Sequence, residues 1–532
     1  MTTTCGDLIK RGRSLFGPRT ALIWENRRFS FAEQASRIFR LANALLANGV
    51  ARQQRVAILA RNCSEYIEIF GACEIAGFVA INLNSRLSTA ELGAICQDCQ
   101  PAVLIYAKDF TVQANLLATQ VPSIRLRIGI GCEDGGAISG AGSGSMSSGS
   151  MSYEHLIAGA SAEEPPSAPT ADDIAYLMYT SGTTGGAKGV MIRHGAMAEA
   201  TRMLSHEGGL ASLQKALVVM PLFHLGGKIE QMAFNLMGAS VVLKAAFDPE
   251  DILQTMQDEK VEAAHFAPLM IQRMLDVLDA KSYDLGALRC VHYASAPMPV
   301  PLLRRALERM GPIFAQVYGM TECLAGTVLK PHCHLTDGSE EERQRFKSAG
   351  QPFLGNAVRI VRDDGASCAP GEIGEIAFHS PTVMSGYWNK SVLTAEILRD
   401  GWLHTGDLGY VDAGNFVYVV DRKKDMIISG GENIYSWEVE EALRAHPDVV
   451  DVAVIAVPDE TWGESVKACV QIQPGRSVSE QDLIEHTRER IASYKKPKSI
   501  DFVESLPRLF NGKIDKKALR APYWRAQDRQ VS

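Results

Sequence analysis

No stretch of this chain approaches the ~18 uninterrupted apolar residues of a membrane-spanning helix. Its first residues, Met1-Thr-Thr-Thr-Cys-Gly-Asp-Leu-Ile-Lys-Arg11, lack the apolar segment of a secretory leader. Positive charge is not in surplus. The 54 lysines and arginines face 61 aspartates and glutamates, a net charge of −7, which excludes a general nucleic-acid binder. A cysteine framework is missing too. The 11 cysteines are scattered and odd in number, as expected of reduced thiols in a cytoplasmic protein. Cys96-Gln-Asp-Cys99 has no second pair, and His332-Cys-His334 has no spaced partners, so neither spacing predicts a zinc site. Small molecules are left as the expected partners. A homodimer is compatible with these absences, which say nothing further about assembly.

At 532 residues the chain is too long for one ordinary core, and two or more domains are expected. With 46% hydrophobic and 22% charged residues its composition is that of a globular protein. Helical periodicity over 28–50, a strand at 55–60, a helix over 64–76 and a strand at 102–106 begin an alternation of strand and helix. The same alternation continues from 215 to 310, which predicts an α/β fold with parallel-rich sheets. Residues 135–152 are rich in Gly, Ser and Met and read as a surface loop. From Gly350 the strands become short, with Gly/Asp turns at 363–365 and 412–415, as in an antiparallel β unit. The last hundred or so residues read as a small α+β module, with Ser436 expected to cap a helix.

The densest chemical signal is Tyr179-Thr-Ser-Gly-Thr-Thr-Gly-Gly-Ala-Lys-Gly189. Glycines leave backbone N–H groups uncovered, hydroxyls add donors, and Lys188 supplies a mobile cation. That mixture suits a polyphosphate. It is not the Walker pattern, which opens a helix. Here apolar segments at 174–179 and 190–192 predict a loop joining strand to strand.

Further motifs follow in order. Tyr318-Gly-Met-Thr-Glu322 combines an aromatic face, a hydroxyl and a carboxylate able to hold Mg²⁺. Thr405-Gly-Asp407 offers a carboxylate for vicinal hydroxyls. Asp421-Arg-Lys-Lys-Asp425 leads into Ile427-Ile-Ser-Gly-Gly-Glu-Asn433, and Asn511-Gly-Lys513 stands near the end. In this order and spacing, over about residues 10–520, the motifs closely resemble the adenylate-forming superfamily of acyl-CoA synthetases, adenylation domains and luciferases. One departure is visible. The family loop usually reads G-x-P-K, whereas this chain has Gly185-Gly-Ala-Lys188.

The resemblance implies a large N-terminal AMP-binding domain over 1–421, a hinge at 422–424 and a mobile lid over 425–532. It implies that Thr180, Ser181, Gly182, Thr183, Thr184, Gly185 and Lys188 hold the ATP β- and γ-phosphates. Ser295, Ala296, Pro297, Tyr318 and Gly319 would flank adenine. Thr321 would meet the α-phosphate, Glu322 would hold Mg²⁺, and Asp407 and Arg422 would take the ribose. Lys513 would bridge the carboxylate substrate and the α-phosphate, and with Thr184 and Glu322 it forms the expected catalytic set. Lys424 would be the hinge, and Gly430 and Gly431 would line the passage for coenzyme A. His224, in Pro221-Leu-Phe-His224, would wall or gate the acid, and Lys228 is a candidate partner for a distal polar group on it.

The implied activity is ATP-dependent acid–CoA ligation through acyl-AMP, with a fatty, aryl or alicyclic acid as substrate. Three alternatives stay open on sequence alone: delivery to a separate carrier protein, a luciferase-type oxygenation, and a non-catalytic nucleotide-binding regulator. No carrier-type phosphopantetheine serine follows Lys513, so a fused carrier is not expected.

Overall fold

Two parallel-rich sheets organise the first part of the chain. One runs Gln351–Pro352, Thr327–Leu329, Phe314–Tyr318, Cys290–Tyr293, Ala263–Phe266, Lys215–Val218, Ser240–Leu243, Thr20–Trp24 and Arg27–Ser30 in spatial order. The six strands from Phe314–Tyr318 through Thr20–Trp24 are mutually parallel, and antiparallel strands finish both edges. The other runs Met151–Ser152, Leu126–Ile130, Val103–Ala107, Arg55–Leu59, Val79–Asn82, Ile174–Thr180 and Lys188–Arg193. This computed structural model describes residues 3–133, 150–180, 187–210, 215–508 and 513–524. Most of the Gly/Ser-rich stretch 135–152 lies outside the described residues.

The strands are short apolar runs because both of their faces are covered, as parallel sheets require. Arg55–Leu59 is buried from Val56 onward, and Val79–Asn82 throughout. The Ser64–Ala76 helix shows the same logic. All its residues except Glu65 are buried, so it carries no polar stripe. Its two interior carboxylates are matched. Glu68 Oε1 accepts from Arg37 Nε at 2.6 Å, and Glu74 Oε1 lies 2.7 Å from Lys228 Nζ.

The chain divides into two compact units. The first comprises 1–346, 350–357 and 378–403; the second comprises 347–349, 358–377 and 404–532. In the second, 404–411 pairs antiparallel with Val417–Arg422, and a separate sheet joins Glu432–Ile434, Ile427–Ser429, Gly463–Ile472, Val449–Asp459 and Ser499–Phe502. Helices Ser436–Arg444 and Glu480–Arg488 contribute Val439, Leu443 and Leu483 to the core of that sheet. Among the described residues no helix is long and apolar enough to cross a membrane.

Candidate active site

The phosphate-loop motif joins strand to strand. Ile174–Thr180 and Lys188–Arg193 are antiparallel, with Thr180 opposite Lys188. Ser181, Gly182, Thr183, Thr184 and Gly185 lie outside the described residues. The loop base is pinned. Tyr179 Oη donates to Asp98 Oδ2 at 2.6 Å, and a Cβ on Gly189 would sit 2.9 Å from Tyr179 Cζ. A side chain at position 189 would displace the Tyr179 ring. Lys188 Nζ stands 5.3 Å from the Tyr387 ring centroid, within cation–π range. Tyr387 Oη in turn donates to Glu322 Oε1 at 2.8 Å, deep in the first unit. A cation, a ring and a carboxylate therefore stand in sequence.

Strand topology gathers the residues expected to flank adenine. Cys290–Tyr293 and Phe314–Tyr318 are adjacent and parallel, so Ser295-Ala296-Pro297 and Tyr318-Gly319 both emerge from the carboxyl edge where open α/β sheets bind ligands. Ser295 has φ +73°, a conformation rare for residues other than glycine and often kept at ligand sites. A Cβ on Gly319 would lie 2.6 Å from the Leu324 carbonyl oxygen, so the turn leading to Thr321 and Glu322 needs glycine.

His224 precedes the Leu225–Leu236 helix. Burial, reinforced by Arg86, pulls its pKa down to about 4, so it is neutral at physiological pH. Lys228, on the same helix, differs from expectation. Only 2% exposed, it forms an ion pair with Glu74, donates to Gln231 Oε1 at 3.0 Å and lies 4.7 Å above the Phe70 ring. Its charge is already matched inside the protein, which corrects the expectation of a lysine waiting for the substrate. Tyr176 Oη donates to the same Glu74 carboxylate.

The second unit holds a second constellation. Asp407 and Arg422 are cross-strand neighbours, and Arg422 Nε lies 2.7 Å from Asp407 Oδ1. Asp407 is buried; its loop is held by Thr405 Oγ1, which accepts from the Asp407 N–H at 3.0 Å, and by Gly406 at φ +70°. Lys513 belongs to the same neighbourhood. Burial, then Arg422 and Lys424, lower its pKa below the ordinary lysine value, while Asp407 opposes them. The segment after Lys513 is anchored by Lys516 Nζ, which donates to Ser436 Oγ at 2.6 Å and meets Glu440 Oε1 at 2.8 Å. Arg520 ties to Asp425 at 2.8 Å.

Ser436 departs from expectation. It is the first residue of its helix rather than the cap, because its N–H and hydroxyl both donate to Asp421 Oδ2, at 2.6 and 2.8 Å. Gly430 and Gly431 both have positive φ, 61° and 85°. At Gly430 the close approach is made by Trp462, whose Cε3 would be 2.5 Å from an added Cβ.

Several residues of these constellations escaped sequence reasoning. Tyr387 stands on an isolated bridge to Val190 and Trp462 in a turn, neither with a local signal. Glu230, His265 and His292 form a buried cluster: His292 Nδ1 donates to Glu230 Oε1 at 2.7 Å, and Nε2 donates to the Gly208 carbonyl at 2.7 Å. The available hint was a histidine at the third position of each of two successive strands, Ala263–Phe266 and Cys290–Tyr293, which the sheet places side by side.

Among the described residues no group of three or more His, Cys, Asp or Glu could hold a metal ion. A single buried carboxylate such as Glu322 nevertheless suits Mg²⁺, which takes most of its ligands from nucleotide phosphates and water. The residues present therefore fit a nucleotide-borne ion.

Residues 13–388 match the AMP-binding enzyme family and residues 438–513 the AMP-binding enzyme C-terminal domain. Feruloyl-CoA synthase from an Amycolatopsis species is 38% identical over 92% of this chain and 93% of its own. Indoleacetate–CoA ligase from Aromatoleum aromaticum is 34% identical over 97% of each. Among solved structures, ATP-bound MatB from Rhodopseudomonas palustris superposes with a TM-score of 0.87 at 28% identity, covering 98% of this chain and 99% of that one. The o-succinylbenzoate CoA synthetase of Bacillus subtilis, in complex with its acyl-adenylate intermediate, gives 0.82 at 30% identity over 96% and 97%. With its phosphate-loop strands, Glu322 carboxylate and Asp407–Arg422–Lys513 cluster all standing on that fold, this chain belongs to the AMP-binding enzymes of the adenylate-forming superfamily and is an ATP-dependent acid–CoA ligase.

Proposed function

We propose that the acid is aromatic and that the two constellations divide the chemistry as follows. A carboxylate is a poor acylating agent, so its oxygen must be exchanged for a better leaving group. Attack of the acid on the ATP α-phosphorus gives acyl-AMP and expels pyrophosphate. Two anions must meet while charge builds on the phosphoryl oxygens, so positioning and cations supply most of the catalysis. Thr180, the loop 181–185 and Lys188 bind the β- and γ-phosphates. Ser295, Ala296, Pro297, Tyr318 and Gly319 hold adenine; Thr321 orients the α-phosphate; Asp407 and Arg422 hold the ribose. Lys513, half-buried beside Arg422, neutralises the encounter of acid and α-phosphate.

Glu322, oriented by Tyr387, is the residue that would hold Mg²⁺, and that ion supplies charge neutralisation on the phosphates when bound. His224 is a neutral wall beside the acid, suited to excluding water rather than accepting a proton. For the second step Lys424 serves as the hinge of the lid over 425–532, and Gly430 and Gly431 admit the pantetheine arm.

One observation carries the mechanistic assignment: a half-buried lysine beside the Asp407–Arg422 pair. The aromatic class is supported by the feruloyl and indoleacetyl specificities of two relatives. The test incubates the protein with ATP, Mg²⁺ and hydroxylamine across aromatic, aliphatic and alicyclic acids, then measures CoA-dependent AMP release. Aromatic acids are expected to give hydroxamate and the fastest AMP release. A preference for aliphatic acids would refute the aromatic reading.

A further inference from the structure

Residues 422–424, read above as the hinge, are bracketed by two carboxylates, Asp421 and Asp425. Each is gripped by a residue that follows the hinge in the lid. Asp421 Oδ2 accepts two hydrogen bonds from Ser436, at 2.6 Å from the backbone N–H and 2.8 Å from the hydroxyl. Asp425 Oδ1 accepts from Arg520 Nη2 at 2.8 Å.

The two grips differ in one respect. Asp425 and Arg520 both follow the hinge, so a rotation at Lys424 carries them together. Asp421 precedes it and Ser436 follows it, so the same rotation pulls their hydrogen bonds apart.

Ser436 is placed to hold firmly. It is 0% exposed. Its hydroxyl is used both ways, donating to Asp421 and accepting from Lys516 Nζ at 2.6 Å. Lys516 also meets Glu440 Oε1 at 2.8 Å, and that oxygen accepts from the Val454 N–H at 2.9 Å. Hydrogen bonds to an ionised carboxylate are among the stronger kinds, and shielding from water strengthens them further.

The same network limits where Lys513 can stand. Lys513 is three residues from Lys516, a reach of at most about 11 Å. The turn between them is fixed. The Asp515 N–H donates to the Pro507 carbonyl at 2.8 Å, Ile514 bridges to Arg508, and Asp515 Oδ1 accepts from the Ala518 N–H at 3.0 Å. The charged groups acting on Lys513 are Arg422, Asp407 and Lys424. Two of these precede the hinge residue, so Lys513 too reaches back across it.

We propose that Ser436 is a positioning residue for the first half-reaction: backed by Lys516, it fastens the lid to Asp421 across the hinge and so keeps Lys513 beside Asp407 and Arg422. Thioester formation requires the Ser436–Asp421 bonds to open. This rests on the reading of Lys424 as the hinge and adds what holds the lid in place for the first step.

Ser436→Pro is the sharp test. Position 436 is the first residue of its helix, where proline is accommodated, and Tyr435 before it is already extended, at φ −85° and ψ 123°. The substitution removes both donors and leaves the helix intact. Ser436→Ala removes only the hydroxyl. Adenylation is read by acid-dependent ATP–pyrophosphate exchange with the fastest acid of the panel above. The second step is read by CoA thioester formation from the acyl-AMP of that acid, supplied directly. Each rate is the fraction of protein in its pose multiplied by an intrinsic constant, so their ratio follows the equilibrium between poses whichever dominates. The ratio of thioester formation to adenylation should rise about tenfold in Ser436→Ala, the worth of one hydrogen bond to a charged group, and further in Ser436→Pro. A purely structural role lowers both half-reactions by one common factor. An unchanged or reduced ratio therefore overturns the proposal. Should Ser436→Pro not fold, Ser436→Ala, which keeps the backbone donor, decides the case. Lys424→Pro separates the two readings. If it spares adenylation and slows thioester formation while the Ser436 variants leave the ratio unchanged, the fastening is wrong and the hinge stands. If Lys424→Pro alters neither half-reaction, the hinge reading fails and this inference with it.

Discussion

Lys228→Met is the perturbation whose consequence is best defined by the structure. The ammonium lies 2.7 Å from Glu74 and 4.7 Å above the Phe70 ring, and both charged side chains are 2% exposed. Removing it leaves Glu74 as a buried carboxylate whose remaining hydrogen-bond donor among the described residues is the Tyr176 hydroxyl. Breaking a buried pair on one side costs about 3–5 kcal/mol. The Tyr176 hydrogen bond stays, which puts the expectation near the lower figure. Loss of the desolvated cation–π contact, ~2 kcal/mol, is contained in that cost rather than added to it. Adding Glu74→Gln removes the uncompensated charge while keeping an acceptor for Tyr176. The double variant should therefore return to within about 1 kcal/mol of wild type, since neutral replacements of buried pairs are often tolerated. The coupling between the two sites is then at least about 2 kcal/mol. Urea unfolding followed by tryptophan fluorescence reads it as a shift in midpoint at unchanged slope. A single-variant loss below about 1 kcal/mol, or a double variant as unstable as the sum of the two singles, refutes the account of a buried pair. In kinetics the single variant should affect all acids by one factor; a loss confined to dicarboxylic or hydroxylated acids would return Lys228 to the substrate.

Four further outcomes test the proposed mechanism. Lys513→Ala should abolish acyl-AMP formation while sparing thioester formation from supplied acyl-AMP, and an equal fall in both half-reactions would remove its assigned role. Because burial and Arg422 lower the Lys513 pKa and the protonated form is the useful one, adenylation should decline with rising pH before a solvated lysine would lose its proton; Lys513→Arg, charged throughout, should erase that alkaline limb in a pH–rate profile. Lys424→Pro should stiffen the proposed hinge, sparing adenylation and slowing thioesterification, and unchanged overall turnover would count against a hinge there. Tyr387→Phe removes the hydroxyl that orients Glu322, and the Mg²⁺ concentration for half-maximal rate should rise about tenfold or more.

Much of the fold was legible because its signals are local. The strands at 55–59 and 174–180 are short apolar runs, and the helix over 64–76 begins and ends where the pattern does. The loop from Thr180 to Lys188 was identifiable as strand-to-strand for the same reason. The cap at 436 was misjudged because a competing acceptor, Asp421, lies outside the local window. Asp407 and Arg422 were each recognisable from their motifs, but only cross-strand pairing shows that they meet. Tyr387 carried no motif at all, although it bridges the loop lysine and the Glu322 carboxylate.

The amino-acid order alone determined the family, the phosphate chemistry and the alternation that builds the sheets, since backbone freedom, hydroxyl content and periodicity are properties of neighbouring residues. Which charges are already matched was decided by tertiary structure. Lys228 and Glu230 are two positions apart on one helix, and nothing in their sequence separates their fates. The helix turns one toward Glu74 and the other toward His265 and His292. A charge taken out of water is stabilised or stranded by what folding brings against it, and those partners come from distant parts of the chain.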